Sequence, residues 1–135
     1  MKALAASRGC RLRLLPSRWV AVIDPDPASR EALRTLLHGL GADVRTYAAA
    51  EPFLGGLQAT LPTCLITEVE LPAMSGLTLL RHLKSLRKGV PSILLATNPA
   101  VSLAVEVIRE GALDFIEKPL ADDRIVRRVS ALLSL

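Results

Sequence analysis

What most constrains this chain is an alternation: short apolar runs, each closed by a polar or proline-bearing turn, are interleaved with stretches whose apolar residues recur at helical spacing. Trp19–Ile23, Asp43–Tyr47, Cys64–Thr67, Ser92–Ala96 and Leu113–Glu117 read as strands. A first helix follows Pro27, which suits an opening turn, and sets Leu33, Leu36, Leu37 and Leu40 on one face before Gly39 and Gly41 stop it. A second, over 50–58, is weakened by Gly55 and Gly56. A third, over 77–86, buries Leu79, Leu80, Leu83 and Leu86. The fourth, over 100–110, buries Val101, Ala104, Val105 and Ile108 and ends at Gly111. The fifth, over 122–133, opens on acids that suit the positive end of its dipole and buries Ile125, Val129 and Leu132. Strands alternating with helices, joined by right-handed crossovers, make an α/β fold with a parallel sheet covered on both faces.

At 135 residues and 50% hydrophobic content the chain builds one core, and with 3% aromatic residues that core is aliphatic. No apolar run approaches the roughly 20 residues that span a bilayer, so no membrane role is expected. The formal charge of +4 is unevenly placed. Lys2, Arg8, Arg11, Arg13 and Arg18 fall in the first 18 residues with no acid among them. Removing these five from 17 leaves 12 basic residues against 13 acidic ones, which disfavours a nucleic-acid-binding body. Residues 1–18 therefore read as a basic extension, disordered or loosely docked, ahead of a domain over 19–135. Leu12, Leu14 and Leu15 could form a short amphipathic turn there. An Arg-rich start also resembles a transit peptide, and nucleic acid is a partner only through this tail or an output domain beyond it. Cys10 and Cys64 have no metal spacing and fit free thiols in the cytoplasm.

Ligands of open α/β sheets bind at the carboxyl ends of the strands. Two strands deliver acids there. Asp24-Pro25-Asp26-Pro27 follows the first, and Glu68 ends the third within Leu-Ile-Thr-Glu-Val-Glu-Leu-Pro, residues 65–72. Lys118-Pro119 closes the fifth. Asp26 reads first as an N-terminal helix acid, and as a metal ligand only if the loop slips by one residue. His38 and His82 have no ligand-spaced partner and read as surface residues. Cys64 reads as a small core residue, since no His is placed to activate it.

Over about Trp19 to Leu133 these residues resemble the receiver domains of two-component response regulators. Leu-Pro-Ala-Met-Ser-Gly-Leu at 71–77 and Gly-Ala-Leu-Asp-Phe-Ile-Glu-Lys-Pro at 111–119 are most similar to the FixJ-like subfamily. The resemblance implies a flavodoxin-like (βα)5 fold, a five-stranded sheet in order 2-1-3-4-5. It also implies an Asp phosphorylated by a histidine kinase at the end of strand three, Mg²⁺ held by it and by an acidic pair after strand one, a hydroxyl after strand four, a lysine after strand five and a switch aromatic. Asp24 matches the first acid, Lys118 the lysine and Phe115 the aromatic. Pro25 falls where the second acid belongs, Glu68 where the acceptor belongs and Ala96 where the hydroxyl belongs. Ser75 resembles the subfamily's loop residue.

Each departure has a physical consequence. Pro25 supplies no side-chain oxygen, so Mg²⁺ binding is expected to be weak or absent. Glu68 is a methylene longer than Asp, which displaces its carboxylate by roughly 1 Å, enough to cost on the order of a hundredfold in an in-line transfer. Thr97 neighbours Ala96 but faces the other side of the strand. Asp24 and Glu68 facing each other would raise one carboxyl pKa unless Lys118 neutralises the pair, so Lys118 is expected within ion-pair reach of one of them. The expected function is a phosphorylation-independent signalling module in transcriptional regulation, not an enzyme, with no catalytic residue. It is either held near an active-like state by Glu68 or a scaffold whose switch has decayed. The alternative is a receiver that still phosphorylates itself with Mg²⁺ at Glu68 or Asp26.

A partner or second copy is expected on the helix four–strand five–helix five face. Leu103 and Val107 would lie there opposite the buried stripe, beside Glu106 and Glu110, with Arg124, Arg127 and Arg128 on helix five. A histidine kinase or an output domain would be further partners.

Overall fold

A computed structural model describes residues 18–57, 60–120 and 123–134, so the basic extension expected from the sequence lies, Arg18 apart, outside the described residues. Strands β1 (Trp19–Ile23), β2 (Asp43–Tyr47), β3 (Cys64–Glu68), β4 (Ser92–Thr97) and β5 (Asp114–Lys118) alternate with helices α1 (Pro27–His38), α2 (Ala50–Gly55), α3 (Gly76–Ser85), α4 (Val101–Arg109) and α5 (Arg124–Leu133). The sheet is parallel throughout, in the order β2-β1-β3-β4-β5. This is the expected flavodoxin-like architecture. The expected strand ends shift by one residue, which brings Glu68, Thr97 and Lys118 into regular pairing: Ile23 pairs with Thr67, Glu68 with Leu95 and Thr97 with Lys118.

Alternation along each strand divides the core between the two faces of the sheet. Val20, Val22, Cys64, Ile66, Ile93, Leu95 and Ile116 pack beneath α1 and α5, against Leu33, Leu37, Ile125 and Val129. Trp19, Ala21, Ile23 and Leu65 face the other way, onto Phe53 of α2 and Leu79 and Leu83 of α3. Leu94 and Ala96 continue that face toward α3 and α4, with Leu80, Val107 and half-buried Phe115. Each fully buried Leu, Ile or Val contributes about 2 kcal/mol of transfer free energy.

Three helices depart from their expected faces. Leu36 and Leu86 are exposed, because α1 and α3 bury only the inner part of their apolar stripes. In α4 the stripe is inverted. Val107 is fully buried and Leu103 is packed on the third cluster, whereas Val101 is 82% exposed and Val105 and Ile108 are about half exposed. Val107 and Leu103 face Leu80, Leu94 and Ala96, and Glu106 and Glu110 lie on the flank toward α3, reaching Arg81 and Lys84 at 3.2–3.5 Å. Burial of Val107 outweighs these exposed pairs in setting the facing. Asp123 precedes α5 without a side-chain cap bond, and α2 ends at Gly55.

Candidate functional site

The acids at the carboxyl edge arrive on two neighbouring strands and the lysine on a third. Asp24 follows β1, its backbone held to β2 by its N–H to the Tyr47 carbonyl at 3.0 Å. Its Oδ1 accepts the Asp26 N–H at 3.0 Å, and Arg30 of α1 donates to its carbonyl at 2.8 Å. Asp26 turns toward its own helix, where it caps α1 by accepting the Ala28 N–H at 3.3 Å. Its predicted N-terminal role holds.

Glu68 is placed by the turn that follows it. The Val69 N–H donates to the Leu95 carbonyl at 2.9 Å and Gly76 N–H to the Val69 carbonyl at 2.7 Å, folding the 70–75 loop back on the strand. Position 76 requires glycine by contact: a Cβ there would lie 2.6 Å from the Glu68 carbonyl oxygen. Ser75 then caps α3, accepting the Thr78 N–H at 3.1 Å.

Lys118 joins the two acids. Its ammonium lies 2.7 Å from Asp24 Oδ2 and 2.8 Å from Glu68 Oε2, so the ion-pair contact expected from the sequence is present with both carboxylates. All three side chains are largely buried. Burial works to lower the lysine pKa, but the hydrogen bonds its ammonium donates to Asp24 and Glu68, with their charges, outweigh it and hold Lys118 above its ordinary value. Coulomb attraction at this distance is worth several kcal/mol at the effective dielectric of a protein edge, and desolvation of the three charges offsets much of it.

Around this triad lies a polar cavity of about 460 Å³, with Pro25, Asp26, Glu70, Ala96 and Thr97 on its walls. Ala96 carries no hydroxyl and is buried with the α3–α4 cluster. Thr97, one residue on, also borders the groove along α1. Magnesium asks for near-octahedral oxygen ligands. Here the two inward carboxylates share one ammonium and Pro25 offers no side-chain oxygen. Among the described residues no group of three or more His, Cys, Asp or Glu side chains is arranged to hold a metal. The donor set does not fit Mg²⁺.

The remaining predicted residues divide. His38 and His82 are exposed. Cys64 is buried, and burial pushes its thiol up to about 12. On the expected partner face, Val107 is removed by burial and Leu103 by packing, while Glu106 and Glu110 are turned toward α3. Arg124 and Arg128 reach Asp114, and Arg127 pairs with Asp123. The apolar residues that α4 exposes are Val101, Val105 and Ile108. The helical period signalled them as a group, but not which way they face.

The response regulator receiver domain family matches residues 20–130. The response regulator protein TodT of Pseudomonas putida is 34% identical over 116 residues, 86% of this chain and 51% of that protein. The transcriptional regulatory protein FixJ of Bradyrhizobium diazoefficiens is 34% identical over 112 residues, 83% of this chain and 55% of that protein. The chain thus spans about half the length of these curated relatives. The crystal structure of FixJ-N superposes with a TM-score of 0.77 at 34% identity, covering 90% of this chain and 98% of that one.

Proposed function

Because the chain belongs to the response regulator receiver domain family, we propose that it is a receiver whose signalling state is set by an internal ion triad instead of by phosphoryl transfer. In this reading it is a phosphorylation-independent interaction module of a transcriptional regulator. The observation that carries the reading is the Lys118 ammonium between Asp24 and Glu68, at 2.7 and 2.8 Å. By the resemblance, Lys118 is the residue that would bind phosphoryl oxygens. Here a glutamate, longer by one methylene at the acceptor position, already occupies it.

Two departures support the same reading. Pro25 removes a carboxylate that would help anchor a dication, and Ala96 removes a hydroxyl that would hydrogen-bond a phosphoryl oxygen. Phe115 is half-buried against the cluster that holds Val107. The signal is then read on the α4–β5–α5 face, by a protein partner or a second copy. Val101, Val105 and Ile108 supply its apolar strip, and Arg124, Arg127 and Arg128 its charged border. A histidine kinase and an output domain remain partners by family.

Incubation with a small-molecule phosphodonor and Mg²⁺, read by intact mass, tests the proposal. The expected spectrum carries no phosphoryl adduct. A stoichiometric adduct at Glu68 or Asp26 would establish the alternative, a receiver that still phosphorylates itself. A Pro25→Asp/Glu68→Asp/Ala96→Thr variant, expected to regain an adduct, serves as the positive control.

A further inference from the structure

A second cavity, of about 570 Å³, runs along α1 toward the β5–α5 connection and adjoins the acid site. Ala32, Leu33, Leu36, Pro119 and Leu120 wall it, and Leu36 is 42% exposed. Ser29, Ala32, Leu33 and Leu36 stand at i, i+3, i+4 and i+7, so α1 turns one face to the groove over about 10 Å. Thr97 and Lys118 border both cavities, which makes groove and acid site one continuous surface. The acid end sets Asp24, Asp26, Glu68 and Glu70 against Lys118 alone among its described lining side chains. An occupant must be apolar along the groove and basic where it meets the acid mouth.

A surface of that character lies elsewhere on the same chain. Val101, Val105 and Ile108 project from α4 at i, i+4 and i+7, a ridge of about 10 Å that matches the groove in length. The three are 82%, 45% and 49% exposed. On the far side of β5 from this ridge, α5 carries Arg127 and Arg128, whose side chains stay 68% and 48% exposed although they pair with Asp123 and Asp114. An apolar ridge thus answers an apolar groove, and arginines answer acids. One copy cannot make this match by itself. α1 packs on the sheet face of Val22 and Ile66, and α4 on that of Leu94 and Ala96, so the sheet stands between groove and ridge.

We propose that the α4 ridge of one copy docks in the α1 groove of the next, with the α5 arginines of the first copy at the acid mouth of the second. The contact joins two different surfaces. A pair therefore still presents a free groove at one end and a free ridge at the other, and association continues past the dimer. The placement of α1 and α4 on opposite sheet faces prevents two copies from making both contacts at once. This deepens the proposed reading of the α4–β5–α5 face and rests on it: a second copy is the partner, and the α1 groove is what that copy offers. It is independent of how the triad is read, which the intact-mass experiment decides separately.

Sedimentation equilibrium of the intact chain tests the proposal. The wild-type mass is expected to rise with concentration beyond that of a dimer. Leu36→Asp in the groove and Val105→Asp on the ridge should each weaken association by roughly tenfold or more. Mixed in equal amounts, the two variants should recover wild-type affinity and stop at a heterodimer, since one retains the ridge and the other the groove. Should either fail to fold, Glu70→Arg and Arg127→Glu, both at exposed positions, repeat the test: each alone weakens association severalfold, and the mixture restores it. A monomer at every concentration would overturn the proposal, as would folded variants that show no recovery on mixing. A symmetric dimer broken by Val105→Asp but not by Leu36→Asp would overturn it too, leaving the α4 face as an interface and removing the groove from it.

Discussion

At the carboxyl edge of the sheet, two carboxylates from two strands converge on the ammonium nitrogen of a lysine from a third; along α4, six apolar side chains from a single helix divide between core and solvent. The first arrangement is over-determined. Register sets the ends of β3 and β5, Asp24 is tied to Tyr47, Asp26 and Arg30, and the 70–75 loop is folded back onto Glu68. The second is settled by few contacts: Val107 and Leu103 enter the core beside Leu80, Leu94 and Ala96, while Glu106 and Glu110 pair with Arg81 and Lys84 on one flank. A site assembled from strand ends inherits the rigidity of the sheet. A helix with apolar residues on several sides takes its facing from its neighbours.

The largest expected effect tests the α4 half of this comparison. Val107→Asp places an unpaired charge where the side chain is wholly buried and should destabilise the fold by about 4 kcal/mol. Val105→Asp, two residues away and half exposed, should stay within about 0.5 kcal/mol. Urea melts of the two variants that came out in the reverse order would restore the stripe read from the sequence.

The triad gives the next effect. Lys118→Met leaves two carboxylates facing each other without their cation and should cost about 3 kcal/mol near pH 7. The pH dependence follows from the sign of the shift. Lys118 is held above its ordinary value of 10.5, so its contribution is complete below that pH and is lost as pH rises through the higher folded-state pKa. The stability gap between wild type and Lys118→Met should therefore be level from pH 7 to 10 and narrow only beyond 10.5. A gap that closed on the alkaline side by pH 9 would mean that Lys118 does not gain its charge stability from Asp24 and Glu68.

The smallest effect concerns how firmly Glu68 is set. Gly76→Ala pushes a methyl to 2.6 Å from the Glu68 carbonyl oxygen and 3.1 Å from Val69 Cα, both backbone atoms that cannot swing aside. Overpacking of this kind costs about 1–3 kcal/mol. Amide shifts should change at Glu68 and Val69 and leave α4 untouched. Shifts spread along α4 would show the two regions to be coupled.

Much of the acid site was legible because strands and their turns write themselves locally. The apolar run before Glu68, the Asp24-Pro25 turn and the Lys118-Pro119 stop each mark a strand end, and parallel strands align their ends along one edge. The period of two also separates Ala96 from Thr97: Ala96 packs under α3 and α4, and Thr97 borders the groove beside α1, though both reach the acid cavity. The doubled contact of Lys118, with Asp24 as well as Glu68, was only half legible. Sequence places the three ends together but does not measure the reach of their side chains.

What this sequence determined by itself is the order of elements, the parallel sheet and the meeting of Asp24, Glu68 and Lys118, since alternation and turn chemistry act over a few residues. Which side of α4 is buried was left to the tertiary structure. Val101, Leu103, Ala104, Val105, Val107 and Ile108 surround so much of that helix that its own pattern permits more than one rotation. The choice falls to the neighbouring elements: Val107 and Leu103 pack beside Leu80, Leu94 and Ala96, and the exposed pairs of Glu106 and Glu110 with Arg81 and Lys84 fit that facing.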